Sequence, residues 1–168
     1  MRDRLKTKSS FSYLLHLGDP IRIDDGFHCT TQIWIGDYVH ISPYVTCIGG
    51  RKSSFYIHGW NNIMAGARII CASDRFDESG LPGSLIPKRY LGTVINKTVV
   101  MEEFSNLGTN AVMMPGSRLR IGALLTVGSV LFGDTEEWGI YKGNPAKLVR
   151  KIDGSKILEY GKKLGYEL

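Results

Sequence analysis

A six-residue rhythm constrains this chain more than any other feature of it. In the first half Leu17, Ile23, Cys29, Ile35, Ile41 and Cys47 recur at every sixth position, and a second apolar set, Ile21, Phe27, Ile33, Val39 and Val45, sits four places after them. The rhythm returns as Ile95, Met101, Leu107, Met113, Leu119, Leu125 and Leu131, with Val99, Ser105, Ala111, Ser117, Ala123 and Ser129 in the second position. An amphipathic helix repeats near 3.6 residues and a simple strand at two, so a period of six calls for short strands separated by sharp turns. That pattern predicts a parallel β-helix, in which each repeat buries its apolar face only against its neighbours. Cys29 and Cys47 lie three hexads apart, one triangular coil, and are expected as stacked core thiols.

The 168 residues form one domain's worth of sequence, long enough to bury a core. No apolar run approaches the eighteen or so residues of a spanning helix, and no secretory leader pattern opens the chain. Three cysteines, two of them in core register, fit a reducing compartment better than a disulfide framework, so a cytoplasmic protein is expected; Cys71, after Ile69 and Ile70, reads as buried. The net charge of +5 is spread along the chain without interleaved aromatics, which argues against a nucleic-acid partner. One cluster stands apart. Lys142, Lys147, Arg150 and Lys151 follow the last repeat and suit a phosphorylated small molecule.

In chain order, residues 1–16 lack the hexads and read as an N-terminal arm, carrying Arg2, Arg4, Lys6 and Lys8. Residues 17–135 form the β-helix, with a small break at Gly49–Ser54 and hexads again at Ile57, Ile63 and Ile69. From Ile69 to Ile95 is 26 positions where one hexad takes six, so a loop of about residues 74–92 is extruded. A loop this long is functional or disordered, and Phe76, Leu81, Leu85, Ile86 and Tyr90 make it too apolar for a solvated linker. Residues 136–168 form a C-terminal extension whose segment 155–163 reads as a short helix closing the open end, with Ser155 as its N-cap.

Four motifs carry a resemblance. Asn106-Leu-Gly-Thr-Asn-Ala, Met113-Met-Pro-Gly-Ser-Arg, Ile121-Gly-Ala-Leu-Leu-Thr-Val-Gly-Ser-Val and Tyr141-Lys-Gly-Asn-Pro-Ala-Lys-Leu-Val-Arg resemble the hexapeptide-repeat acyltransferases, over about Leu17 to Arg150. The segment Ser73-Asp-Arg-Phe-Asp-Glu-Ser-Gly with Ile86-Pro-Lys-Arg-Tyr is similar in form to the substrate loop of the galactoside, xenobiotic and surface-polysaccharide sugar acetyltransferases. The resemblance implies a left-handed β-helix, a homotrimer with sites between subunits, acetyl-CoA along the C-terminal coils, and a sugar or nucleotide-sugar acceptor in surface polysaccharide synthesis such as that of lipopolysaccharide. It further implies cofactor contacts at Gly108, Ala111, Gly122 and Ala123, where small residues expose backbone to an extended pantetheine arm, and at Lys142, Lys147 and Arg150 for the nucleotide phosphates. The two glycines serve equally well as tight corners.

The family's usual base is a histidine in the segment equivalent to Cys71–Phe76, and this chain has none there; His16, His28, His40 and His58 all precede the loop. Asp74 is the substitute by position, either as a base or as an Asx-turn residue at the loop entrance. Glu102 and Glu103 begin the next coil and read as groove residues or as a solvated rim; His58 reads as solvent-facing. Without a histidine, the acceptor tilts toward an amine, which needs less help than a hydroxyl. Two other readings are open: a non-catalytic trimeric scaffold, and a γ-carbonic-anhydrase-like metalloenzyme, which needs three converging histidines. His28 and His40 are two-thirds of a coil apart, hence on different faces, and no metal is expected.

Overall fold

The structure is a computed structural model that describes residues 10–167. Within them lie β1 (Ser10–Leu17), β2 (Ile21–Ile23), β3 (His28–Asp37), β4 (Val39–Ile41), β5 (Thr46–Ile48), β6 (Ser54–Gly59), β7 (Asn62–Ile63), β8 (Arg68–Ile70) and β9 (Ala72–Asp74). The second half holds β10 (Val94–Asn96), β11 (Val99–Met101), β12 (Asn106–Leu107), β13 (Val112–Met113), β14 (Arg118–Leu119), β15 (Leu124–Leu125), β16 (Val130–Leu131), β17 (Gly139–Gly143), β18 (Ala146–Lys151) and α1 (Ser155–Lys163).

The strands wind a parallel β-helix with three faces. The first carries the start of β3 and then β5, β8, β13 and β16; the second carries the rest of β3 and then β6, β11 and β14. The third runs β2, β4, β7, β12, β15 and β17, with β18 antiparallel along its end. The hexad is the register of this stack. Cys29, Cys47, Ile69, Met113 and Leu131 are successive partners on the first face, and Leu17, Ile35, Ile57, Met101 and Leu119 on the second. Ile23, Ile41, Ile63, Leu107, Leu125 and Tyr141 make the third column. All but Leu17 are buried, at roughly 1.5–3 kcal/mol per large aliphatic side chain, so the three columns are the dominant source of stability. The stacked thiols of Cys29 and Cys47 are as expected, Cys71 is also fully buried, and burial pushes the Cys47 thiol well up, which leaves it inert.

The second-position residues shrink along the axis. Amide-to-carbonyl bonds step one column through Phe27, Val45, Ala67, Ala111 and Ser129, and pairing steps another through Ile33, Phe55, Val99 and Ser117.

Three segments differ from the sequence expectation. Residues 10–16, grouped with the arm, form most of β1, which pairs in parallel with β3 and packs Phe11 on Phe27 with ring centroids 5.3 Å apart; the rest of the arm, residues 1–9 with Arg2, Arg4, Lys6 and Lys8, lies outside the described residues. Ile95 is not a coil residue: β10 pairs antiparallel with β9, and the chain leaves the coil at Cys71 and rejoins it at Lys97, whose N–H donates to the Cys71 carbonyl at 2.9 Å. The extruded hairpin therefore spans residues 72–96. Finally, α1 begins where expected but its cap is Gly154, while Asp153 Oδ1 accepts the Ser155 N–H at 3.0 Å; the Ser155 hydroxyl turns back to that same carboxylate. The helix lies along the corner between the second and third faces instead of over the open end. Gly161 sits against Phe104, and Tyr166 meets Trp60 and Phe104 edge-on.

That corner is an aromatic ladder. Tyr38, Trp60, Phe104 and Trp138 occupy it coil after coil with φ between 51° and 60°, a left-handed turn that costs a bulky side chain about 1–2 kcal/mol. Gly122 takes the same place between Phe104 and Trp138, because a Cβ there would lie 2.1 Å from the Trp138 ring.

Candidate active site

The hairpin roots a cleft. β9 and β10 hold Asp74 opposite Val94 and Ser73 opposite Ile95, and a 3-10 turn at Lys88–Tyr90 folds the far part of the loop back, with Leu81 bridged to Leu91. Between this root and the corner Ile48–Gly49 of the preceding coil lies a cavity of about 510 Å³, lined also by Ser73, Asp74, Ser84 and Val94. Asp74 is half-buried there, and no side chain or backbone group among the described residues hydrogen-bonds its carboxylate, so it is not an Asx-turn residue. A carboxylate in that state is an acceptor in want of a donor. Outside the cavity the hairpin presents Phe76, 85% exposed, and Leu85, 95% exposed.

The three cations after the last coil are brought together. In the β17–β18 hairpin Lys142 stands directly opposite Lys147, and a bulge places Arg150 opposite Ile140, so all three share the outward side of the third face. None of them has an acidic partner among the described residues, whereas Lys151 is held by Glu136 at 2.7 Å. Like charges directly opposite each other are destabilising unless an anion joins them.

The four small residues expected at the cofactor lie in tightly packed coils. Ala111 and Ala123 are fully buried second-position residues, and Gly108 and Gly122 are buried as well. The N–H groups of all four are spent inside the fold: Gly108 donates to Leu125, Ala111 to Gly108, Gly122 to Glu103 and Ala123 to Arg120, at 2.8–3.0 Å. A Cβ on Gly108 would lie 2.6 Å from the Val127 nitrogen. Packing by itself requires the smallness of Gly108 and Gly122, and the N–H groups of all four residues have partners inside the fold.

Glu102 and Glu103 do not share the Asp74 cleft. Buried Glu102 accepts from Arg118 Nη1 and the Ile121 N–H, both at 3.1 Å, and ties the second face to its corner. Glu103 lies 3.5 Å from His58 Nδ1 in a small groove with Trp34 and Tyr56, so His58, although exposed, has a partner that its sequence position did not reveal. None of the other histidines lines the cleft: His16 stacks on Trp34, His28 bonds Ser10, and His40 Nε2 bonds Asp24 Oδ2 at 2.9 Å. His28 and His40 fall on different faces, and no group of three His, Cys, Asp or Glu side chains placed to hold a metal occurs among the described residues. Nor is any helix among them long and apolar enough to cross a membrane.

Asp74 and the cation trio are not neighbours within one chain. The first stands at the corner between the first and second faces, in the coil of β8; the second stands on the third face, beyond the last coil.

No protein-family model matches the chain. A dTDP-4-amino-4,6-dideoxy-D-glucose acyltransferase of Escherichia coli is 27% identical over 150 residues, covering 86% of this chain and 75% of that protein. Among solved structures, AntD, an N-acyltransferase from Bacillus cereus, superposes with a TM-score of 0.85 and 25% identity over 94% of this chain and 83% of that one, in a cysteine-for-serine variant holding dTDP-4-amino-4,6-dideoxyglucose and coenzyme A. A hexapeptide-repeat acetyltransferase of Vibrio cholerae, solved with acetyl-CoA, shares the fold at a TM-score of 0.60 and 20% identity over 82% of this chain and 71% of that one.

Proposed function

We propose that this chain is a hexapeptide-repeat acyltransferase that transfers an acyl group, acetyl or a short relative of it, from coenzyme A to the amino group of a nucleotide-linked amino sugar. The observation that carries the reading is Asp74: a half-buried carboxylate without a hydrogen-bond partner, in a cleft large enough for a hexose, beside the hydroxyls of Ser73 and Ser84.

Asp74 accepts a hydrogen bond from the acceptor amine and aims its lone pair at the thioester carbonyl. As nitrogen attacks, the carbonyl carbon becomes tetrahedral; the excess proton on nitrogen passes to Asp74 or to water as the C–S bond breaks. The thiolate leaves and is protonated, so the products are the N-acyl sugar and free coenzyme A. An amine needs no stronger base than this, which accommodates a cleft without histidine. Lys142, Lys147 and Arg150 hold the phosphates of the donor.

Because these two half-sites lie on different sides of the coil, the reading carries a homotrimer in which Asp74 of one subunit faces the cations of the next. We assign the product to surface-glycan synthesis in the cytoplasm, where nucleotide sugars and acyl-CoA meet.

A thiol-release assay tests the reading. With acetyl-CoA and dTDP-4-amino-4,6-dideoxyglucose, turnover is expected, and Asp74→Asn lowers kcat/KM by about 10²–10³ without changing the folded spectrum. Turnover with hydroxy-sugars alone overturns the amine assignment, and full activity in Asp74→Asn removes Asp74 from the chemistry.

A further inference from the structure

The cleft at Asp74 has two chemically different walls. Ser73, Asp74 and Ser84 make one, with hydroxyls and a carboxylate; Ile48, Leu91 and Val94 make the other. Ile48 is 45% exposed and Val94 38%, so two aliphatic side chains stand open to solvent in the same cavity as the carboxylate. A hexose, hydroxylated around most of its rim, is matched by the first wall and not by the second.

The register of β9 and β10 fixes how close the second wall comes. The Lys97 N–H donates to the Cys71 carbonyl at 2.9 Å and the Arg75 N–H to the Thr93 carbonyl at 2.8 Å. Hydrogen-bonded and non-hydrogen-bonded pairs alternate along an antiparallel ribbon, so Asp74 and Val94, directly opposite each other, form a pair of the second kind. In such a pair the side chains stand closest and on one side of the ribbon, with Cβ atoms about 4.5–5.5 Å apart. Ile48 is pinned to the hairpin root from the coil, since its carbonyl takes the Cys71 N–H at 2.7 Å. An amine held by Asp74 attacks a carbonyl carbon about 3–3.5 Å away, so the chain on that carbon starts beside the Val94 isopropyl group.

We propose that Val94 and Ile48 select the acyl group, and that the donor this cleft prefers carries a chain longer than acetyl, of about four carbons. The inference rests on the acyltransferase reading and names the donor within it. The methyl of an acetyl group leaves the aliphatic wall in water, whereas a butyryl chain covers it. One methylene more or less in an apolar pocket discriminates between substrates by about tenfold or more.

Steady-state kinetics with dTDP-4-amino-4,6-dideoxyglucose and acetyl-, propionyl-, butyryl- and hexanoyl-CoA reads the selection as a ratio of kcat/KM. Butyryl-CoA is expected to exceed acetyl-CoA by about tenfold, and Val94→Phe, which fills the space along the wall, to bring that ratio to one or below. Ile48→Phe approaches the same space from the coil and should do likewise, which keeps the test decisive where the hairpin variant misfolds. A parent protein that prefers acetyl-CoA, or a butyryl-to-acetyl ratio that neither variant moves, overturns the selection while acyl transfer stands. A second arm varies the sugar. If Val94→Phe shifts the preference between this acceptor and its 6-hydroxy counterpart while the acyl ratio stays fixed, the aliphatic wall belongs to the methyl group of the sugar and the proposal falls. No turnover with any of the thioesters removes the acyltransferase reading along with it.

Discussion

Asp24 is the most committed carboxylate of the first coils. It is buried, accepts Arg22 Nε at 2.8 Å and bonds the His40 ring at 2.9 Å. Burial alone would raise its pKa, but the hydrogen bonds to His40 and Arg22 outweigh that and hold it below the ordinary carboxylate range. A carboxylate whose folded pKa lies below its unfolded value of about 3.9 contributes stability above that value, and loses the contribution as pH falls through the folded pKa. Asp24→Asn should therefore cost about 1–3 kcal/mol at pH 7, and the gap to the parent protein should narrow below about pH 4, as read from urea midpoints across that range. A gap that stays constant on acidification would mean the charge does nothing there. This network was hidden from the sequence because Arg22, Asp24 and His40 meet only when β2 stacks on β4. The three cations of the β17–β18 hairpin were legible as a cluster from spacing alone, but that they share one side depends on a bulge that no spacing encodes.

Elements are where the hexad both informs and misleads. It gives the three core columns correctly because inward residues repeat with each side of the prism, so their register is a property of the coil and survives any single substitution. It misplaces Ile95 because the 72–96 hairpin happens to rejoin the coil in phase, leaving an apolar residue six before Met101 that belongs to β10. It also leaves two accounts of the small residues in the late coils, contact with a ligand and close packing. Gly108 separates the two accounts. Gly108→Ala places a methyl 2.6 Å from the backbone of the next coil, so it should lower stability by about 1–3 kcal/mol, seen as a fall in Tm, while KM for the acyl donor in the folded fraction stays unchanged. A raised KM at unchanged Tm would restore Gly108 to the binding surface. The hairpin itself is separable from the coil, since Cys71 and Lys97 already meet across its base. Replacing residues 72–96 with Gly-Ser should leave a folded β-helix by circular dichroism and abolish acyl transfer, and a chain that no longer folds would show that the hairpin is part of the core.

At the scale of the whole molecule, the division of labour between Asp74 and the cation trio leads to one further expectation. If one chain held a complete site, Asp74→Asn and a Lys142→Glu/Lys147→Glu variant would each be defective, and a mixture of the two would stay defective, because every chain carries a lesion. If the site is shared between subunits, an interface in which the first variant supplies its intact cations and the second its intact Asp74 contains every working part. Random assembly of equal amounts makes about one interface in four of that kind, so co-expressed variants should recover about a quarter of the parent's kcat while each alone stays near background. The exposed Phe76 and Leu85 of the hairpin favour this outcome, because apolar side chains on an excursion pinned at its root are what an adjoining subunit would cover. Recovery requires assembly and shared catalysis together, so sedimentation of the mixture separates the two. A trimer without recovery would place both functions in one chain, and a monomer with full parental activity would remove the subunit interface from the chemistry altogether.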